Sequence, residues 1–448
     1  MLCIYKFGEN NWSVLFDNKT KNVYNINDKY FSDFDRGGVK INLQIKTPIW
    51  TGDIDSKSDT IQSTGIVGSL RWWTEALLRG MNEFACDPTG DSRCPDDEKY
   101  CSSCLIFGAT GRRRLFRLEI NGGRKISFPG NGAINVKPSG RSRGWFFGPA
   151  IVGGLKMEII PLDEKFDENF VLVPLLVASK WGGIGAKTQL GYGVVEVASS
   201  SNADFDKFKK ALEDLSRERK RQELNNLSLP NLKEMFFAKI QFKASNNWWE
   251  KVDGLIDKSG KNRFEKEIRK KVIEECLNNN FLPIAPVIKN WLRYGNGRQT
   301  WQHNNRARGL ENWLFGTSKT VCPQCYDYDI VPQENETYKC RNCNQKFKKE
   351  EVIDRCASKI NISCAYVVDN NLWEVRIWGW IPSYPKIQGF QKDRFLDNLK
   401  SALNGGNFHA LFGNQTSDHK LVVWREYNSE RDTFKKEENF DGFVKSLL

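Results

Sequence analysis

Histidine is the scarcest chemistry-bearing residue in this chain: three among 448, at His303, His409 and His419. General-base catalysis leans on imidazole more than on any other side chain, and no nucleophile-with-base pattern is visible. A binding protein rather than an enzyme is therefore expected. Long apolar runs are also missing. The best, Val171–Ala178, falls far short of the ~20 residues that cross a bilayer. The opening residues, Met1–Glu9, lack the basic start and apolar stretch of a signal peptide. A cytoplasmic protein with no membrane contact and no small-molecule substrate is expected. Disulfides are uncommon in that compartment, so the twelve cysteines need another role.

Eight of them fall into two groups of four. Cys322-Pro-Gln-Cys325 and Cys340-Arg-Asn-Cys343 form two short knuckles whose backbone amides can support thiolates around one tetrahedral ion. A structural zinc is expected there, within a ribbon spanning 320–345. Cys86, Cys94, Cys101 and Cys104 hold one such knuckle and one wider pair. Their segment is too polar to fold unaided, and a metal would give it a core, so a second zinc is possible within 86–104. Four thiolates leave no open coordination position, which argues against Lewis-acid catalysis at either group. Cys3, Cys276, Cys356 and Cys364 read as small buried residues.

What the chain does have is positive charge. Lys and Arg number 67 against 55 Asp and Glu, a net +12, which favours a polyanionic partner. Two stretches concentrate it. Between Gly111 and Arg143 stand Arg112, Arg113, Arg114, Arg117, Arg124, Lys125, Lys137, Arg141 and Arg143 against Glu119 alone. From Pro283 to Leu310 there is no acid at all, and Lys289, Arg293, Arg298, Arg306 and Arg308 interleave with Trp291, Tyr294, Trp301 and His303. Cations among aromatics suit single-stranded nucleic acid, where phosphates pair and bases stack.

The order of elements repeats. Ile41, Leu43 and Ile45 alternate with polar residues as in a half-buried strand. A Gly/Ser-rich turn at 63–69 precedes a helix over about 70–79, strands follow at 114–120 and 155–160, then a helix at 170–181 and a strand at 193–197. The second half runs strand 236–242, helix 264–277, strands 359–368 and 372–380, helix 394–403 and strand 419–427. Leu105-Ile-Phe-Gly and Leu314-Phe-Gly echo one another. The fold class is α+β: two ferredoxin-like (RRM-like) domains with a zinc ribbon inserted in the second. Expected boundaries are 1–198, with a Cys-rich insertion at 86–104, a charged helical connector at 199–230, and 231–448. Phe205, Phe208, Leu212 and Leu215 mark the connector's apolar face.

The densest signal is Trp181-Gly-Gly-Ile-Gly-Ala-Lys-Thr-Gln-Leu-Gly-Tyr-Gly193. Glycines admit a ligand close to backbone amides. Gly183, Gly185, Lys187, Thr188, Gln189 and Tyr192 are candidate phosphate-backbone contacts. The pattern is not a Walker A loop, because Gly-x4-Gly-Lys-Ser/Thr is absent. His303, or an Asp from 53, 55 and 59, would serve an endoribonuclease, the alternative reading.

Thr47-Pro-Ile-Trp-Thr-Gly-Asp53, Gly68-Ser-Leu-Arg-Trp-Trp73, Leu105-Ile-Phe-Gly-Ala-Thr110 and the Gly182–Gly193 loop, in that order, resemble the RAMP superfamily of CRISPR proteins. They are most like the first subunits of Cmr (type III-B) effector complexes. The resemblance implies two RAMP domains that help hold the 3′ part of a crRNA and capture target RNA, beside other RAMP subunits, with no cleavage of their own. Its pattern puts Ser69, Arg71 and Lys187–Gln189 on the RNA backbone. Thr51, Gly52 and Trp72 lie within the same motifs.

Overall fold

The computed structural model describes residues 2–7, 12–17, 23–26, 38–90, 93–129, 132–197, 202–216, 229–245, 247–255, 263–302, 309–325, 328–335, 337–349, 351–383 and 389–448. His303, Arg306 and Arg308 lie outside them. So does the side chain of Cys3.

The chain opens with a three-stranded antiparallel sheet, β1 (Leu2–Phe7), β2 (Trp12–Asp17) and β3 (Val23–Ile26). The first half then builds β4 (Val39–Ile45), α1 (Ser63–Gly80), α2 (Ser102–Phe107), β5 (Phe116–Lys125), a hairpin of β6 (Ile134–Val136) and β7 (Trp145–Phe147), β8 (Ile151–Pro161), α3 (Asn169–Trp181) and β9 (Val195–Val197). Four of these strands pair antiparallel in the order β5-β8-β4-β9. In β4, Ile41, Leu43 and Ile45 are buried while Lys40, Asn42 and Gln44 are exposed, so the sheet turns one face to the core.

Helix α4 (Phe205–Ser216) follows, and Phe208 of its apolar face packs edge-on against Phe170 of α3 at 5.7 Å. The second half contains β10 (Met235–Ala244), α5 (Arg263–Asn278), β11 (Phe281–Leu282), α6 (Ala285–Tyr294), α7 (Asn296–Gln302) and α8 (Leu310–Phe315). A small sheet of β12 (Ile330–Pro332), β13 (Thr337–Cys340) and β14 (Lys346–Lys348) carries the second cysteine group. Then come β15 (Ile360–Ile362), β16 (Ala365–Asp369), β17 (Leu372–Trp380), α9 (Lys392–Leu403), α10 (Gly406–His409), β18 (Thr416–Glu426) and α11 (Phe440–Leu447). The sheet runs β11-β16-β17-β10-β18, with β15 also on β17. Without β11 and β15, the strands of each half stand in the same order: second, third, first, fourth along the chain.

The Phe-Gly echo is structural as well. Both α2 and α8 are six-residue helices that end on a glycine, Gly108 at φ 84°, ψ 161° and Gly316 at φ 81°, ψ 153°. Those angles are open essentially to glycine alone.

The two apolar cores do not respect the expected boundary at 199–230. The β6–β7 hairpin gives Ile134, Val136 and Phe147 to the second core, whereas Phe440, Phe443, Val444 and Leu447 of α11 return to the first. Each half contributes a piece to the other's interior. Among the described residues no helix is long and apolar enough to cross a membrane.

Candidate nucleic-acid interface

Six residues scattered from 51 to 188 in the sequence meet in one cleft of about 380 Å³. Thr51 comes from the loop after β4, Ser69 and Trp72 from α1, and Gly183, Gly185 and Thr188 from the loop after α3; Asn361 and Trp378 of the second half close it. The segment expected to be a turn at 63–69 is the first two turns of α1. Gly65 packs against the Thr51 loop, where a Cβ would stand 3.1 Å from Thr51, while Gly68 faces open space.

The loop is tethered on both sides. Gly185 N donates to Ser69 Oγ (3.2 Å), Trp73 Nε1 to Gly183 O (3.0 Å), and Thr188 Oγ1 to Asn361 Oδ1 (3.0 Å). Lys187, in a left-handed conformation at φ 57°, lays its ammonium 3.2 Å from the ring centre of Trp50. Burial lowers its pKa from the ordinary lysine value. Gln189 Oε1 accepts from Lys289 Nζ of α6 at 3.2 Å. Among the described residues, the cleft lining offers hydroxyls, backbone amides and indole faces but no carboxylate, imidazole or thiol. Such a surface can seat a sugar-phosphate backbone.

Several expected contacts are placed elsewhere. Tyr192 is buried, stacked on Phe147 at 4.2 Å, with its hydroxyl bonded to the Gly148 backbone; it is a core residue. Gly183 is buried, and the loop's glycines serve close packing more than ligand approach. A Cβ on Gly193 (φ 93°) would sit 2.1 Å from Ile184 O, and one on Gly182 2.4 Å from the Trp73 ring. Trp291 and Trp301 are buried in the second core rather than free to stack. Arg298 is half-buried and pairs with Gln302 (2.9 Å) and Glu311 (3.4 Å), the acid just past the acid-free stretch. Arg113 is exposed, Arg114 half-buried, and Arg112 lies over the Tyr100 ring at 5.6 Å. Gly52 stands in the Thr51 loop at φ 65°. Arg293 is taken up below.

Arg71 has a different partner altogether. Its Nε donates to Glu75 (2.8 Å), Nη1 to Gly108 O (2.9 Å) and Nη2 to Cys104 Sγ (3.1 Å). With Arg79, whose guanidinium donates to Ala85 O and Cys86 O, it forms a buried stripe on α1 facing the first cysteine group. Cys86, Cys94, Cys101 and Cys104 are all buried, and their Sγ atoms lie within 4.8 Å of one another. The Cys86–Cys104 and Cys86–Cys101 separations are 3.6 and 3.7 Å. Four sulfurs each ~2.3 Å from one zinc would stand roughly 3.8 Å apart. The four thiols share hydrogen bonds, which lower the Cys86 thiol and raise those of Cys101 and Cys104. Cys322, Cys325, Cys340 and Cys343 form the second such group, with Sγ pairs at 3.7 and 3.4 Å. Both sets fit a tetrahedral metal.

Two of the acid candidates are otherwise engaged, and the imidazole candidate, His303, lies outside the described residues. Asp53 caps its own turn through Asp55 N and Lys57 N, and Asp59 pairs with Lys125. His409 and His419 stack at 4.6 Å; burial and His409 together push His419 down to about 4.

The Thr51 loop, α1 and the glycine loop, which supply the first half's side of the cleft, fall inside one family match. Residues 42–196 match the RAMP superfamily. No curated protein matches the chain. Among solved structures, Cmr1 from Pyrococcus furiosus is similar at 12% identity and a TM-score of 0.32, covering 81% of this chain and 95% of that one. A chain of the type III-B Cmr-beta complex bound to cognate target RNA is similar at 13% identity and a TM-score of 0.36, covering 82% and 99%. Within the matched segment, α1 thus carries cleft residues and cysteine-facing residues side by side.

Proposed function

We propose that this chain is a non-catalytic RNA-binding subunit of a type III-B CRISPR (Cmr) effector complex. It helps hold the 3′ part of a crRNA and capture target RNA beside other RAMP subunits. The observation that carries this reading is the cleft. Motif residues from three separate loops and helices of the RAMP segment converge on an uncharged, hydroxyl- and indole-lined groove, with Lys187 at its edge. The shared strand order of the two halves supports two ferredoxin-like domains, and the thiol geometry supports structural zinc at both cysteine groups, the second in a ribbon. Zinc there would supply cross-linking, not reactivity.

The test is an incubation of the purified chain with end-labelled, repeat-containing RNA, scored for both shift and cleavage. Binding without cleavage is expected. Lys187→Ala with Ser69→Ala should weaken it about tenfold and reduce the salt slope by roughly one for each phosphate no longer neutralised. Specific cleavage abolished by His303→Ala would instead make the chain a crRNA-processing endoribonuclease.

A further inference from the structure

The two basic stretches of the sequence, 111–143 and 283–310, come together at a single aromatic residue. Tyr294, at the end of α6, is 42% exposed. The Arg141 guanidinium lies 4.1 Å from its ring centre and 5.6 Å from that of Trp145 on β7, so it is layered between two aromatic rings. Arg293 approaches the same tyrosine at 5.1 Å. Its Nη2 donates to Asn312 Oδ1 at 2.8 Å. The Nε–H groups of both Arg141 and Arg293 are buried and have no acceptor among the described residues. Two cations are thus pre-oriented by stacking and each keeps an unused donor. The acids of this region are committed: Asp253 to Ser139, Glu311 to Arg298. Phe146, 68% exposed, points to the face of β7 opposite Trp145 and takes no part in this layer.

The cluster is the second half's counterpart of the cleft helix. Leu70-Arg71-Trp72 on α1 is matched by Leu292-Arg293-Tyr294 on α6. Each arginine reaches the short glycine-ended helix of its own half, Arg71 at Gly108 O and Arg293 at Asn312. The two sites are also joined. Gln189 of the cleft loop holds Lys289, and Arg293 follows one turn along α6, ~6 Å further.

Resting on the RNA-binding reading above, we infer that Arg141, Tyr294 and Arg293 form a platform for an unpaired stretch of RNA leaving the cleft. Phosphate oxygens pair with the guanidinium charges of Arg141 and Arg293, and a base lies against the exposed ring of Tyr294. Guanidinium–aromatic layers and base stacking are how single strands are held without sequence preference.

Anisotropy with a labelled oligouridylate and with an RNA duplex of equal length tests this on the full chain. Arg141→Gln with Tyr294→Ala should weaken oligouridylate at least tenfold and the duplex far less. Arg141→Gln alone should lower the salt slope by about 0.7, and Tyr294→Ala alone should leave it unchanged. Arg141→Lys, which keeps the charge but loses the planar layer and disturbs folding least, should fall between wild type and Arg141→Gln. Equal losses on both RNAs, or a double variant that binds like wild type while Lys187→Ala still weakens binding, would overturn the platform and leave the cleft reading intact. If wild type binds neither RNA, both readings fail. If the variants lose only a protein subunit of the complex, the patch is a protein contact and the inference is wrong.

Discussion

At the residue scale, the most consequential placement is that of Arg71. A zinc held by four thiolates carries a net charge of about −2, which is costly to bury unless cations compensate it. Arg71 and Arg79 lie against the first cysteine group, with Glu75 between them at 2.8 and 3.7 Å. Burial raises the Glu75 pKa, against the lowering by Arg71. Arg71→Ala should therefore lower zinc affinity at the first group by roughly 10–100-fold, as removal of an outer-shell partner does, and leave the second group untouched. Competition with a chromogenic chelator would show one site released early; two sites still releasing together would refute the assignment. Lysine burial gives a second prediction. Lys239 is pushed down to about 8, chiefly by burial, with Arg376 adding repulsion. In the unfolded chain it titrates near ~10.4, so between pH 8 and 10 the unfolded state binds more protons. Stability should rise with pH across that window and fall away again as pH returns toward 8, with a slope of at most about 1.4 kcal/mol per pH unit. Lys239→Met should flatten that slope in thermal melts at pH 7 and 9.5; parallel slopes would count against it.

At the scale of elements, glycine placement decides how the cleft is built. Gly193 adopts φ 93° with Ile184 O where a Cβ would be, so the loop's return onto β9 has no room for any side chain. Gly193→Ala should cost about 2 kcal/mol or more, read as a lowered denaturation midpoint with RNA affinity reduced in step. The sequence made the glycine loop conspicuous but not its purpose, because chain approach and ligand approach demand the same residue. Strands such as β4 were legible through alternation, and α3 through its apolar length. The extension of α1 back to Ser63 was not, since Gly and Ser are weak helix formers and only packing against the Thr51 loop and the glycine loop rewards them. Arg71 was misplaced for a similar reason: its acceptors Cys104 and Gly108 lie 33 and 37 residues away, beyond any local pattern. The arginine layer on Tyr294 joins two stretches that composition marked separately, and only the hairpin's packing brings them together.

At the scale of the molecule, the halves are interlocked rather than strung together. The β6–β7 hairpin leaves the first sheet to fill the second core, and α11 leaves the second sheet to close the first. Arg425 of β18 binds Ser446 at the end of α11 through Nη1 and Nη2, and Trp181 of α3 donates to Leu447 O at 2.8 Å. An arrangement of this kind makes the position of one half depend on the other, which a groove closed by Asn361 and Trp378 from the second half requires. Removing α11 should then damage the half to which it does not belong in sequence. Four buried apolar side chains at ~1.5–3 kcal/mol each exceed half of a typical domain's stability. A chain ending at Glu438 should show weakened hydrogen-exchange protection across α1 and α3 as well as in β18, and its RNA affinity should fall with the cleft. Weakened protection in the second half alone would mean that the halves fold independently, and that the cleft needs only proximity, not interlocking, to form.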